Sequence, residues 1–375
     1  MIKKPEVTGD VNVSVEGDAG CIGSTRRREV VKGVLGMGAA TIAPTIWTSK
    51  TWAQTRNLVV RDPAGPYVKA MTEAFYIPFE KATGVKIERV TADHEPTSQF
   101  KAMVETKNFF WDVVSLSMGA YGVVESQGFV EPLDWSGEMN EIPKQFIRPG
   151  FLAYDVAATT IVYSVDRFGD KGPQSWAEFW DVNRFKGRRA MRRHPFDTLE
   201  EALLADGVPL AKLYPIDLPR AFRKLDQIKP HVAIWWTGGA QASQLIKSGE
   251  VDLIATWNGR AQAAIDDGAK YKIAWNQGIA VVDGLTVPKG SPKAALAKEF
   301  VKFCANAERQ AVFSKYIAYG PTNPNAFKFI DADRALILPS NPKYMPDLVL
   351  QTPEAWAANK DKATEMFDAW VTAKN

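Results

Sequence analysis

Two cysteines and three histidines are all that 375 residues offer for thiol or imidazole chemistry. Cys21 falls in the N-terminal segment, which leaves Cys304 alone and excludes an internal disulfide. The FVKFCAN setting of Cys304 reads as a helix face, where a free cysteine packs as a small hydrophobe. The histidines are His94, His194 and His231, and no HExxH, G-x-S-x-G, Walker A or G-x-G-x-x-G pattern occurs. Asp93-His94-Glu95 sets one imidazole beside two carboxylates, a commonplace loop composition. The sequence therefore presents no catalytic residue, no metal ligand set and no cofactor motif, which counts against a redox or hydrolytic enzyme.

Charge of one sign is also lacking. The net charge is +3, and residues 1–53 carry seven Lys/Arg against five Asp/Glu, so the remainder is almost neutral. A near-neutral surface gives no footing to nucleic acid or to an anionic membrane. A membrane-spanning helix needs about 18 or more apolar residues in a row. The most apolar N-terminal stretch, Gly33 to Trp47, is broken by Gly36, Gly38 and Pro44. Internal repeats, low-complexity tracts and a Gly/Ser/Pro-rich linker are absent as well.

What precedes that stretch is informative. Arg26, Arg27 and Arg28 lead into Glu29-Val30-Val31-Lys32, then the weakly apolar run, then Thr51-Trp52-Ala53. Basic, apolar and small-residue regions in that order form an export signal, and paired arginines point to the twin-arginine route. Residues 1–53 are expected to be removed, delivering the protein to the periplasm. Cys21 lies before the apolar run, a poor place for a lipoprotein anchor.

Roughly 320 residues then remain, more than one core usually supports, so two lobes are expected. Asn57 to Arg61 reads as a strand, Tyr67 to Ala82 as a helix, Val85 to Val90 as a strand, Ser98 to Lys107 as a helix and Trp111 to Leu116 as a buried strand. This βαβαβ order marks an α/β lobe with a parallel sheet. Alternation resumes with strands at Thr159 to Tyr163, Gly187 to Met191, Val232 to Trp236, Val251 to Trp257 and Gly278 to Pro288, separated by helices. The expected fold is α/β in two lobes, with hinge crossings: 58–158 plus 278–324, then 159–277 plus 325–375. Ligands of such sheets bind beyond the carboxyl ends of strands, which singles out Asp62 to Pro66, Asp93 to Thr97, Ser117 to Tyr121, Arg192 to Asp197 and Asn258 to Arg260.

Five segments in order resemble the type II periplasmic binding proteins of ABC importers, in the spermidine/putrescine-binding branch. They are FEKATGVKIE, SWAEFWDVNRFKGR, VDLIATWNGRA, GIAVVDGLTVPKG and YGPTNPNA. The resemblance implies a monomeric receptor for a small amine or amino acid that docks on ABC transporter permease subunits. It also implies that Trp257 stacks on the ligand, that Asp283 holds an amine and that Ser117 is a polar contact, with Tyr319 nearest to a further tyrosine. Elsewhere the chain departs from the pattern. Val281 replaces a tryptophan, Asp62-Pro63-Ala64-Gly65 replaces an aromatic-acidic loop, and Arg192-Arg193-His194-Pro195-Phe196-Asp197 replaces an acidic cluster.

The residue types support the same chemistry. A cation wants carboxylates and aromatic faces, supplied by Asp62, Asp197, Asp283, Trp236 and Trp257, whereas Trp235 is expected in the core because alternation turns only one of the Trp235/Trp236 pair outward. Asp283 interrupts an apolar run, where an unpaired carboxylate is costly. Arg192 and Arg260 at strand ends suit a carboxylate, and backbone N–H groups at Gly65 add to that. These departures favour an ω-amino acid over a diamine. Receptors of the same fold for ferric iron or an anion are the alternatives; iron would want a tyrosine pair, which the chain lacks.

Overall fold

The computed structural model describes residues 56–92, 95–357 and 359–373. The export segment 1–53 with Cys21, and Asp93 and His94, lie outside the described residues.

β1 (Asn57–Asp62) lies between β2 (Lys86–Thr91) and β3 (Val113–Ser117), all three parallel. α1 (Pro66–Met71) leaves the end of β1 with Pro66 in its first turn, where a missing N–H costs nothing. It continues through a π-helical stretch, Thr72–Tyr76, into α2 (Ile77–Thr83). α3 (Thr97–Thr106) leads to β3, and α4 (Met118–Glu125) starts directly at its end, with Ser117 as the cap.

Two long strands then carry the fold. β4 (Phe151–Ser164) has 14 residues and β8 (Tyr271–Thr286) has 16, antiparallel along most of their length. At about 3.3 Å per residue, β4 is roughly 45 Å long, enough to serve two lobes. Near one end, β8 pairs with β3, through Val114↔Thr286 to Ser117↔Asp283. Near the other, β4 pairs with β7 (Leu253–Trp257), followed by β5 (Arg189–Arg192) and β6 (Val232–Trp236). The eleven-stranded sheet is thus ordered β2-β1-β3-β8-β4-β7-β5-β6 along its main path. Register shifts between Ala153/Asp155 and Thr159/Ile161 bend the crossing strands, as an extra unpaired residue does. A third crossing, β9 (Val349–Leu350), runs beside Ile279 and Ala280 of β8.

Each lobe has its own core. Leu58, Val60, Phe75, Val113, Leu152, Val282 and Phe300 belong to the first, and Trp176, Leu199, Leu225, Leu253 and Phe367 to the second. Cys304 is a free thiol buried in the first core. Ala326, Ile330 and Leu338 pack with Ala307 and Ala311 of α8 (Ala307–Tyr316), and Leu348 enters the first core. The remaining helices that position the site are α5 (Pro195–Ala205), α6 (Gly239–Lys247), α7 (Asn258–Asp266), α9 (Pro353–Ala357) and α10 (Lys360–Thr372). Among the described residues no helix is long and apolar enough to cross a membrane.

Candidate functional site

Strand pairing brings three polar residues into one row. Asp283 of β8 stands opposite Ser117 of β3 on one side and Asp155 of β4 on the other. Asp155 is fully buried and Asp283 partly so. The Tyr67 hydroxyl, from the first turn of α1, donates to Asp283 Oδ2 at 2.6 Å. Neither Asp155 oxygen meets a donor in good hydrogen-bond geometry, although the nearby Tyr67 hydroxyl favours its charged form. Burial pushes the Asp283 carboxyl up to about 7 against the pull of Tyr67 and Arg61. Burial, then the charge of Asp283, holds Asp155 well above the usual carboxylate range. Two carboxylates side by side, shielded from water, cannot both ionise cheaply. An ammonium group placed between them relieves exactly that cost. The ring of Tyr67 packs 5.6 Å from that of Tyr319, so the acidic pair has an aromatic rim.

A cationic pole faces this rim. Trp257 ends β7, and the chain turns at once into α7, placing Arg260 in its first turn. Asn258 holds the turn: its Oδ1 accepts from the Ala158 amide at 3.0 Å and its Nδ2 donates to the Ala318 carbonyl. The Arg260 side chain lies between two glycines. A Cβ at Gly65 would come 3.0 Å from Arg260 Nη1, and one at Gly239 would come 2.6 Å from Nε. Gly65 also has φ +71°, a region that disfavours a side chain. Arg260 Nε is buried without a hydrogen-bond partner. Gly65, against Arg260, precedes by two residues Tyr67, whose hydroxyl meets Asp283.

Trp257 is half-buried, and its neighbours are specific. Trp236 meets it edge-on at 5.3 Å, and the Arg192 guanidinium sits 4.7 Å from its ring centroid. Arg192 Nη1 pairs with Asp197 Oδ2 at 2.8 Å. Asp197 is buried at φ +72°, and its other oxygen accepts from Gln351 Nε2 at 3.3 Å. Beside this cluster a cavity of about 540 Å³ is lined by Ser117, Val281, Phe196, Gln351, Trp356 and Lys360, among others. A second depression of about 510 Å³, around Arg167, Arg188, Lys247 and Asp252, lies at the far end of β4 and is remote from these residues.

Some expected site residues are placed otherwise. Trp236, expected to face outward, is fully buried, its indole N–H donating to Ala255 O at 3.0 Å; it braces Trp257. Trp235 packs on Phe367 and Trp370. Asp62 is buried, with its carboxylate engaged by Arg89 at 2.7 Å and by the Tyr76 hydroxyl at 2.5 Å. Its charge is met inside the first lobe because β1 and β2 place Asp62 beside Arg89. Ser117 Oγ caps α4 by accepting from the Ala120 amide at 3.2 Å. Asp155, Tyr67 and Gln351 were not singled out from the sequence. Asp155 did carry a signal, since FLAYDVAATTIVY is an apolar run broken by one carboxylate, just as at Asp283.

Residues 74–337 match the bacterial extracellular solute-binding protein family. The chain belongs to that family. It is 33% identical over 327 residues to the gamma-aminobutyric acid-binding protein of Pseudomonas aeruginosa, covering 85% of this chain and 92% of that one. It is 23% identical over 269 residues to the spermidine/putrescine-binding periplasmic protein of Escherichia coli, covering 68% and 76%. Among solved structures, an ABC transporter substrate-binding protein from Bradyrhizobium japonicum superimposes with a TM-score of 0.79 at 36% identity, covering 84% of this chain and 99% of that one. The fold of this solute-binding protein is thus the two-lobed periplasmic-binding architecture.

Proposed function

We propose that this solute-binding protein is the periplasmic receptor of an ABC importer and captures a small zwitterion with an ammonium at one end and a carboxylate at the other. The observation that supports the reading is the adjacent Asp155–Asp283 pair, joined by Tyr67 to the turn at Gly65 that abuts Arg260. The ammonium lies against the aspartates and the Tyr67 rim, and the carboxylate takes the Arg260 guanidinium, with the Gly65 turn beside it. Trp257 forms a wall. Gamma-aminobutyrate, the ligand named for the Pseudomonas relative, has these two ends. The two lobes close over it by bending at the three crossings, without chemistry on the ligand, and the closed form docks as a monomer on permease subunits. Export follows the twin-arginine route from residues 1–53.

Calorimetric titration with gamma-aminobutyrate, putrescine and spermidine tests the reading. The amino acid is expected to bind more tightly than either polyamine. Micromolar putrescine binding with no response to the amino acid would overturn it in favour of a polyamine receptor.

A further inference from the structure

The cluster at Trp257 contains a cation that the protein supplies itself. A carboxylate beside an aromatic face is a receptor for an ammonium group. Asp197 and Trp257 make such a box, and the Arg192 guanidinium fills it, 4.7 Å from the indole centroid and 2.8 Å from the carboxylate. Arg192 is held at its backbone too, where its carbonyl accepts from the Thr198 hydroxyl at 3.0 Å. The start of α5 bends to make the pair: Phe196 and Asp197 have non-helical backbone angles, and a positive φ at a non-glycine residue costs energy unless surroundings enforce it. The Arg192 side chain keeps 21% of its surface exposed, so a ligand can approach the box from outside.

We propose that Arg192 is a specificity-determining residue, a built-in cation that occupies the Asp197–Trp257 box and turns away ligands carrying a second ammonium. The inference rests on the amine-binding reading above and deepens it. The acidic pair Asp155/Asp283 takes one ammonium, and about 13 Å of strand separates Asp155 from Thr159, the partner of Trp257, too far for the four-carbon chain of putrescine but within reach of the longer spermidine with the side chains converging. A second ammonium directed at the box meets a guanidinium and loses affinity by like-charge contact. Removing Arg192 leaves Asp197 buried with the Gln351 amide as its remaining donor, and a ligand cation then restores the missing charge.

The test compares Arg192→Ala and Arg192→Gln with the parent by calorimetry and thermal melting in spermidine. Spermidine affinity is expected to rise about tenfold or more in both variants, while Arg192→Lys keeps the parent's exclusion. Adding Asp197→Asn to Arg192→Ala should abolish the gain. Unchanged spermidine affinity in folded Arg192→Ala and Arg192→Gln overturns the proposal, as does a gain that survives Asp197→Asn. The parent's response to gamma-aminobutyrate is a separate readout: its failure counts against the zwitterion reading, while the spermidine gain still decides the role of Arg192.

Discussion

Asp155 and Asp283 face each other across the two crossing strands, side by side in the register, the first fully buried and the second partly so. In the proposed reading the lobes close by bending at the same strands, so the charge that the ligand neutralises sits where the lobes join, and an ammonium bridging the two aspartates would also tie β4 to β8 there.

This pair sets a pH dependence. The Asp283 carboxyl is raised to about 7 and Asp155 well above the usual carboxylate range, both first by burial. A folded-state value above the unfolded one means that the folded, unliganded protein holds extra protons; this contribution to its stability falls as pH rises from about 4 through 7. An ammonium ligand favours the ionised form, so the sign for binding is the reverse. Affinity for gamma-aminobutyrate should fall about tenfold or more between pH 8 and pH 5. Titrations in buffers of different ionisation enthalpy should show proton release on binding near pH 7.

Asp155→Asn removes one of two adjacent carboxyl groups. The unliganded variant is expected to melt higher than the parent at pH 8, with the difference shrinking toward pH 5. Ligand affinity should drop about tenfold or more, the loss of roughly 1.4 kcal/mol. A variant that binds like the parent would place the ammonium elsewhere.

Trp257→Ala removes a wall of the site and the face on which Arg192 rests. Binding should weaken about tenfold or more. In the parent, intrinsic tryptophan fluorescence should respond to ligand, and this response should be reduced in the variant. Full calorimetric affinity in folded Trp257→Ala would return the residue to the packing of the lobe.

Asp62 predicts a stability effect. Arg89 bonds its carboxylate, and burial raises that carboxyl despite Arg89 and Tyr76. Arg89→Ala leaves a buried carboxylate without its cation and should destabilise the protein by about 3–5 kcal/mol. Chemical denaturation measures this; a loss below about 1 kcal/mol would show the pair to be no more than a surface bridge.

The export proposal is checked in cells. Arg27→Lys combined with Arg28→Lys should leave the precursor in the cytoplasm, by fractionation and blotting. Normal export and cleavage of the double variant would remove the twin-arginine assignment.

Local pattern was enough for much of this protein. NLVVR, WDVVSL and VDLIATW announce buried strands because a sheet covered on both faces needs continuous apolar residues. Trp257 and Arg260 could be placed at a strand end by order alone, and Asp283 by the cost of a carboxylate in an apolar run. The crossing strands were read at half length. Phe151–Ala158 and Tyr271–Gln277 continue strands that the sequence marks only at Thr159 to Tyr163 and Gly278 to Pro288. A bulged strand has no single period for a pattern to follow. What tertiary structure alone decided is which charges meet. Asp62 finds Arg89 on the neighbouring strand, Arg192 finds Asp197 and Trp257, and Asp155 finds Asp283 across residues far apart in sequence. Composition lists the charges, but their partners depend on strand order and register, and in a buried site the partner determines whether a charge is structural or awaits a ligand.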